Sequence, residues 1–306
     1  MRGAGASQLR FLVLQIVAIS AKSICGRRPI AAPQLNAYER SIFPSRGAFS
    51  GFIVGERTVI TAAHCVPAPG GFQITADEMI VRVGMYYQLI LSSDFMLHRV
   101  ERIYRHGSFK EDSYQHDITL LTQRTLVEFG DFVQPICLPR DKNALQGIWF
   151  GTVSGWAMAK DDYSLYDTIM LRSATLTIVN NSRCPTSNSK LFDCVLYDGM
   201  FCGGWEIETN VCNEDRGRAF VANVNGSWTA FGNVSFTGDL KYRVSFLAGF
   251  ISIPKYLDCI ESIVILEALY LARREDRHPE TLKIPTPRNS DRSKIFVRKT
   301  YGQAIN

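Results

Sequence analysis

Between about residues 35 and 250 the chain is written in short apolar runs broken by Gly, Pro and Asp. One set covers 52–54, 79–83, 88–91 and 118–121; a second covers 152–154, 175–179, 219–224, 230–236 and 242–247. Runs of this length, bounded by turn residues, predict strands of a barrel or sandwich. No internal repeat separates the two sets. After Pro254 the period changes: glycine is absent to about residue 274, and Tyr256, Leu257, Ile260, Ile263, Val264 and Leu266 fall at near-helical spacing behind a helix-starting proline. One C-terminal helix, packed on the second set of strands, is the expectation. Residues 273–306 scatter charges among Pro279, Pro285 and Pro287, and are expected to form a basic, mobile tail.

Length and composition admit one large all-β unit or two small domains, since 306 residues at 46% hydrophobic content can bury a core. The formal charge of +5 divides into +3 from residues 1–23 and +5 from 273–306, which leaves −3 on the rest. No broad basic face follows, so nucleic acid is not an expected partner. Residues 1–23 have the layout of a secretory signal peptide: Arg2 and Arg10, the apolar run 11–19, then small residues around Ala18, Ser20, Ala21 and Ser23. That run falls well short of the ~20 residues a helix needs to cross a bilayer, so no membrane anchor is expected. Secretion puts the eight cysteines in an oxidising compartment. With no Cys-x-x-Cys pair and no His-rich cluster beside them, they read as disulfide formers; neither metal nor cofactor is implied.

Candidate chemistry begins at Ile60-Thr61-Ala62-Ala63-His64-Cys65. A histidine acting as general base needs a carboxylate behind one ring nitrogen and a nucleophile before the other. Asp117, in His116-Asp117-Ile118-Thr119-Leu120-Leu121, supplies the carboxylate. At these residues the chain resembles the trypsin-like (chymotrypsin-fold) serine proteases. Pro135-Ile136-Cys137-Leu138-Pro139, Val153-Ser154-Gly155-Trp156, Met200-Phe201-Cys202-Gly203-Gly204 and a Cys-led segment from Cys212 continue the resemblance in order, across roughly 25–263. The start, Cys25-Gly26-Arg27-Arg28, and Pro254-Lys255-Tyr256-Leu257-Asp258 look most like secreted proteases and protease homologues of arthropod body fluid. The resemblance implies an all-β domain over 25–272: two packed six-stranded antiparallel β-barrels with a C-terminal α-helix. His64 and Asp117 would come from the first barrel and the nucleophile loop from the second.

In that family a serine hydroxyl attacks the peptide carbonyl, the histidine takes its proton and the aspartate fixes the histidine tautomer. The family's loop Cys-x-Gly-Asp-Ser-Gly-Gly-Pro aligns with Cys212-Asn213-Glu214-Asp215-Arg216-Gly217-Arg218-Ala219. Arg216 stands where the nucleophile would be. A guanidinium offers no lone pair and stays protonated, so no neighbouring base can activate it. Glu214 replaces the glycine whose backbone N–H would form the oxyanion hole, and an anion there opposes the transition state. The blander reading makes Glu214, Asp215, Arg216 and Arg218 a surface charge cluster worth little energetically. By the same resemblance Asn210 stands at the position that would floor the specificity pocket, where an aspartate would have indicated Lys/Arg selection and asparagine indicates no definite preference. Asp215 is the activation partner by resemblance, but Arg28-Pro29-Ile30-Ala31 lacks the expected cleavable terminus, so the protein is expected to work uncut.

The resemblance also implies the bridges Cys25 with Cys137 and Cys184 with Cys202. Cys65 would pair about sixteen residues earlier, where Phe49 stands, and the segment between Pro44 and Phe49 is about nine residues short, as if part of a hairpin were lost. Cys65, Cys194, Cys212 and Cys259 are then unassigned, with Cys194 to Cys212 the favoured pairing. Of the sequons at Asn180, Asn225 and Asn233, the first two are favoured as sugar sites because Asn233 falls on an inner strand. Ser235-Phe236-Thr237 matches the strand that pairs with substrate backbone, whereas Ser227 and Ser235 lie outside the loop that would aim a hydroxyl at His64. Three readings stay open. One is a secreted non-catalytic homologue, a decoy, adaptor or cofactor in an extracellular proteolytic cascade, with protein or peptide ligands and cascade proteases as partners. Another is a working serine endopeptidase with an unusual nucleophile. The third is a decayed or mis-assembled gene product.

Overall fold

The computed structural model describes residues 25–26, 35–40, 49–66, 75–84, 95–130, 133–155, 171–187, 189–204, 216–237 and 247–277. Twelve strands among them close into two antiparallel barrels. The first contains β1 (Leu35–Arg40), β2 (Phe49–Ile53), β3 (Thr58–Thr61), β4 (Met79–Val83), β5 (Met96–Arg105) and β6 (Thr119–Gln123), in the order β1-β2-β3-β6-β5-β4. The second contains β7 (Phe150–Gly155), β8 (Arg172–Val179), β9 (Met200–Gly204), β10 (Ala219–Val224), β11 (Ser227–Thr237) and β12 (Ala248–Ser252), in the order β10-β11-β12-β9-β8-β7. Closure leaves no barrel strand at a sheet edge. The expected fold class is therefore the observed one.

The core falls into three clusters, one inside each barrel and one between them. Alternation explains which strands serve two clusters, because successive side chains on a strand face opposite ways. On β3, Val59 points into the first barrel and Ile60 into the shared cluster; on β6, Leu121 and Leu120 divide the same way. All of β3 and β6 is consequently buried, while β4, with one face outside, alternates buried and half-buried. β3 and β6 form the wall that the first barrel presents to the second.

Several boundaries differ from the sequence pattern. The run at 88–91 lies outside the described residues, as do residues 1–23 and everything after 277. The run at 242–247 lies outside them too except for Leu247, and the strand that follows is Ala248–Ser252. β5 has no clear apolar signature, since only His98 and Val100 of its Met-Leu-His-Arg-Val-Glu-Arg-Ile-Tyr-Arg are buried. The short segment before Phe49 does not open the barrel: β1 pairs with β2 from Leu35↔Phe52 to Tyr38↔Phe49, and with β4 from Ala37↔Arg82 to Arg40↔Met79.

Pro254 opens a 3-10 turn, Ile253–Tyr256, that leads into the helix Leu257–Arg277. The helix thus continues five residues into the segment expected as tail, and a second unit begins within it at Leu269. Ile260 is buried in the shared cluster, with Ile263 and Val264 packed against it. The helix also reaches the first barrel, where buried Glu267 accepts from Arg102 Nη1 at 3.0 Å and from the Tyr104 hydroxyl. No helix among the described residues is long and apolar enough to cross a membrane.

Among the described residues two disulfides form, Cys25–Cys137 and Cys184–Cys202, as the resemblance implies. Cys25–Cys137 closes a separation of 112 residues, so it restricts the unfolded chain strongly. Replacing both Cys25 and Cys137 by Ser is expected to lower the free energy of unfolding by about 2 to 4 kcal/mol, read as a lower denaturant midpoint.

Candidate functional site

β3 and β6 pair antiparallel from Thr58↔Thr122 to Thr61↔Thr119. His64 follows the end of β3 and Asp117 precedes the start of β6, so this register delivers both to one end of the shared wall. A one-turn 3-10 helix, Ala63–Cys65, turns the His64 backbone toward the carboxylate. The His64 N–H donates to Asp117 Oδ1 at 2.8 Å, and His64 Nδ1 lies 2.7 Å from Asp117 Oδ2. Because a carboxylate only accepts, Nδ1 carries the proton and Nε2 is left as the basic nitrogen.

The second barrel completes the carboxylate's shell. Ser235 Oγ donates to Asp117 Oδ2 at 2.5 Å, and Asn233 Nδ2 donates to the Asp117 carbonyl at 3.3 Å. Ser235 is the residue left over in a bulge: Val234 pairs with Phe250 and Phe236 with Gly249. A bulge re-aims a side chain without ending the strand. Asp117 is fully buried, and burial of a bare charge costs several kcal/mol unless it is hydrogen-bonded. The three donors on its carboxylate meet that requirement. Ser235 has no role toward His64, in keeping with its place outside the nucleophile loop; its contact with Asp117 was not foreseen. Asn233 and Ser235, polar residues spaced by two and interleaved with apolar Val234 and Phe236, were the available signal.

Tyr114 and Cys65 also contact His64. Tyr114, in a left-handed conformation at φ 51°, meets the imidazole edge-on at 5.4 Å and leans on Phe236. Cys65 Sγ lies 3.5 Å from His64 Nε2. Cys65 is a buried free thiol, and Phe49 packs on the cluster that contains it. Burial works to lower the His64 pKa, but the neighbouring Cys65 and Asp117 outweigh it and hold the imidazole well above its ordinary value.

Backbone contacts fix the segment 216–218 between the barrels. Ser50 N–H donates to the Arg216 carbonyl at 3.3 Å, and Gly217 N–H donates to Val234 O at 2.8 Å. Gly217 has φ 83°, and a Cβ there would lie 2.1 Å from Ser50 O, so only glycine fits. Arg216 is half-buried. Arg218 does not belong to a surface cluster: it is 2% exposed and donates from Nη1 to Ser154 O at 2.9 Å. Asn210, Cys212, Glu214 and Asp215 lie outside the described residues, as does the favoured pairing of Cys194 with Cys212. Cys259 is a free, half-buried thiol raised by burial. Among the described residues no group of three His, Cys, Asp or Glu is placed to hold a metal ion.

Paired closed barrels with a carboxylate-backed histidine on their common wall define the double-barrel class to which serine proteases belong. A family model described as Trypsin matches residues 36–260, and the chain belongs to that family.

Two outcomes test this geometry. Gly217→Ala is expected to cost about 2 kcal/mol or more in denaturant unfolding, because both φ and the Ser50 carbonyl oppose it. His64, being raised, stabilises the fold fully below its unfolded value of about 6.5, and loses that contribution as pH rises through the folded value. Asp117→Asn removes the carboxylate's share, so burial should carry the His64 titration downward in an NMR pH series.

Proposed function

We infer that the chain is a secreted, non-catalytic member of the trypsin family that binds protein or peptide segments, as decoy, adaptor or cofactor in an extracellular proteolytic cascade. The observation that carries this reading is Arg216. Its backbone is stitched to Ser50 of one barrel and, through Gly217, to Val234 of the other. The position that family alignment gives the attacking hydroxyl thus holds a group that cannot attack. Loss of a triad nucleophile costs on the order of 10⁶ in turnover. Glu214 at the oxyanion position and Asn210 at the pocket floor, both assigned by alignment, belong to the same proposal.

The peptide-binding half of the reading rests on β11. By alignment, Ser235-Phe236-Thr237 of β11 matches the strand that pairs with substrate backbone in this family, and buried Phe236 faces Tyr114 there. Closed barrels, two disulfides and a satisfied Asp117 favour a folded homologue over a decayed product. Asn180 and Asn225 are exposed and Asn233 is fully buried, which supports sugars on the first two.

The working-enzyme reading draws on one feature, the intact Asp117–His64 pair. Treatment of the purified protein with a fluorophosphonate serine probe separates the two. No labelling and no hydrolysis of a mixed peptide library are expected; labelling at any serine, or cleavage abolished by His64→Ala, overturns the non-catalytic reading.

A further inference from the structure

Next to Asp117 in the chain, at His116, four rings from four places meet. His116 has φ 57° and immediately precedes Asp117; its ring stacks on His106 at 4.7 Å with 6° between planes. The His116 backbone N–H donates to the Tyr197 hydroxyl at 2.8 Å. Tyr197 and Tyr256 share a hydrogen bond between their hydroxyls, and the Tyr256 hydroxyl lies 2.9 Å from His116 Nδ1. His106 follows β5, Tyr197 precedes β9, and Tyr256 ends the 3-10 turn before the C-terminal helix.

The backbone N–H can only donate, and that sets the direction of the circuit. Tyr197 accepts from it and gives its own proton to Tyr256; Tyr256 gives its proton to His116 Nδ1. With Nδ1 bare, all three bonds are made and every proton in the circuit has an acceptor. A proton on Nδ1 reverses the last step: Nδ1–H donates to Tyr256, Tyr256 turns to Tyr197, and the Tyr197 proton is expelled from the ring. Tyr197 has no other polar partner among the described residues. His106 is constrained alike, because the Ser108 backbone N–H donates to its Nδ1 at 3.2 Å. Stacked imidazoles that both accept at Nδ1 are both neutral.

We propose that His116, Tyr197 and Tyr256, with His106 stacked against them, are a proton-operated latch that ties the Asp117 segment to the second barrel at neutral pH and releases it in mild acid. The groups facing it offer no compensation. Lys110 repels a charge on His116, His106 would carry a second one, and the Asp117 carboxylate is committed to His64 and Ser235. Near Tyr256 stands the thiol of Cys259. Burial, then the charge of Lys110, lowers His116; burial, then His116, lowers His106. A folded value below the unfolded one means that stability is lost as pH falls from about 6.5 toward the folded values. The latch is independent of whether the cleft hydrolyses anything.

Hydrogen exchange on the full chain, read by mass spectrometry and corrected for the intrinsic pH dependence, tests it. Protection of the segment 106–121 is expected to fall roughly tenfold or more between about pH 7.5 and pH 5, with β10 as an unchanged reference. A local readout excludes His98, which burial also lowers but which sits elsewhere on β5. His116→Asn should abolish the drop, since asparagine tolerates positive φ and cannot be protonated there. Tyr256→Phe, with the ring already open, should show the lower protection at both pH values. Wild-type protection that does not change with pH, or a drop that persists undiminished in either variant, would overturn the latch.

Discussion

A single buried negative charge organises this molecule. Asp117 sits at zero exposure between two barrels and would be intolerable there without donors. Its carboxylate collects them from both sides: the His64 backbone and ring from the first barrel, the Ser235 hydroxyl from the second. Satisfying the charge therefore demands that the barrels be docked and in register. The bond from His64 Nδ1 fixes the tautomer of the imidazole, and the carboxylate and the neighbouring sulfur keep it more basic than usual.

The geometry behind that arrangement is strand alternation on a common wall. β3 and β6 are buried on both faces, so a slip of one residue in their pairing would turn Ile60 and Leu120 into the wrong cluster. With the register pinned at Thr61↔Thr119, the two functional side chains have nowhere else to emerge. The facing segment is equally constrained, because Gly217 leaves no room for a side chain between Ser50 and the rest of the loop. What this family site can do is then decided by side chains alone. In the proposed reading, an arginine at 216 retains the scaffold and withdraws the oxygen.

Much of this was legible in the sequence. Short runs gave most strands because a half-buried or fully buried strand must be apolar at every second position or throughout. β5 escaped because Arg99, Glu101, Arg102 and Arg105 interrupt its apolar positions and only two of its residues are buried. His64 and Asp117 could be paired by chemistry and motif. Ser235 could not, since its contact depends on a bulge, and bulges have no reliable signature in one sequence. Arg218 was misread for a related reason: an arginine is ordinarily a surface residue, and only the position of the Ser154 carbonyl reveals that this one is enclosed. The His106, His116, Tyr197 and Tyr256 cluster draws on residues far apart in the chain, so no local pattern announces it.

Cys65 carries a different lesson. With Phe49 opposite it rather than a second sulfur, the histidine arm is fastened to the neighbouring strand by van der Waals contact and the hydrogen bonds of the sheet. Reductants would untie the amino-terminal clip at Cys25 and the Cys184 loop while leaving this arm's attachment untouched. Among the described residues the wall bearing His64 therefore holds no bridge for a change of redox potential to act on.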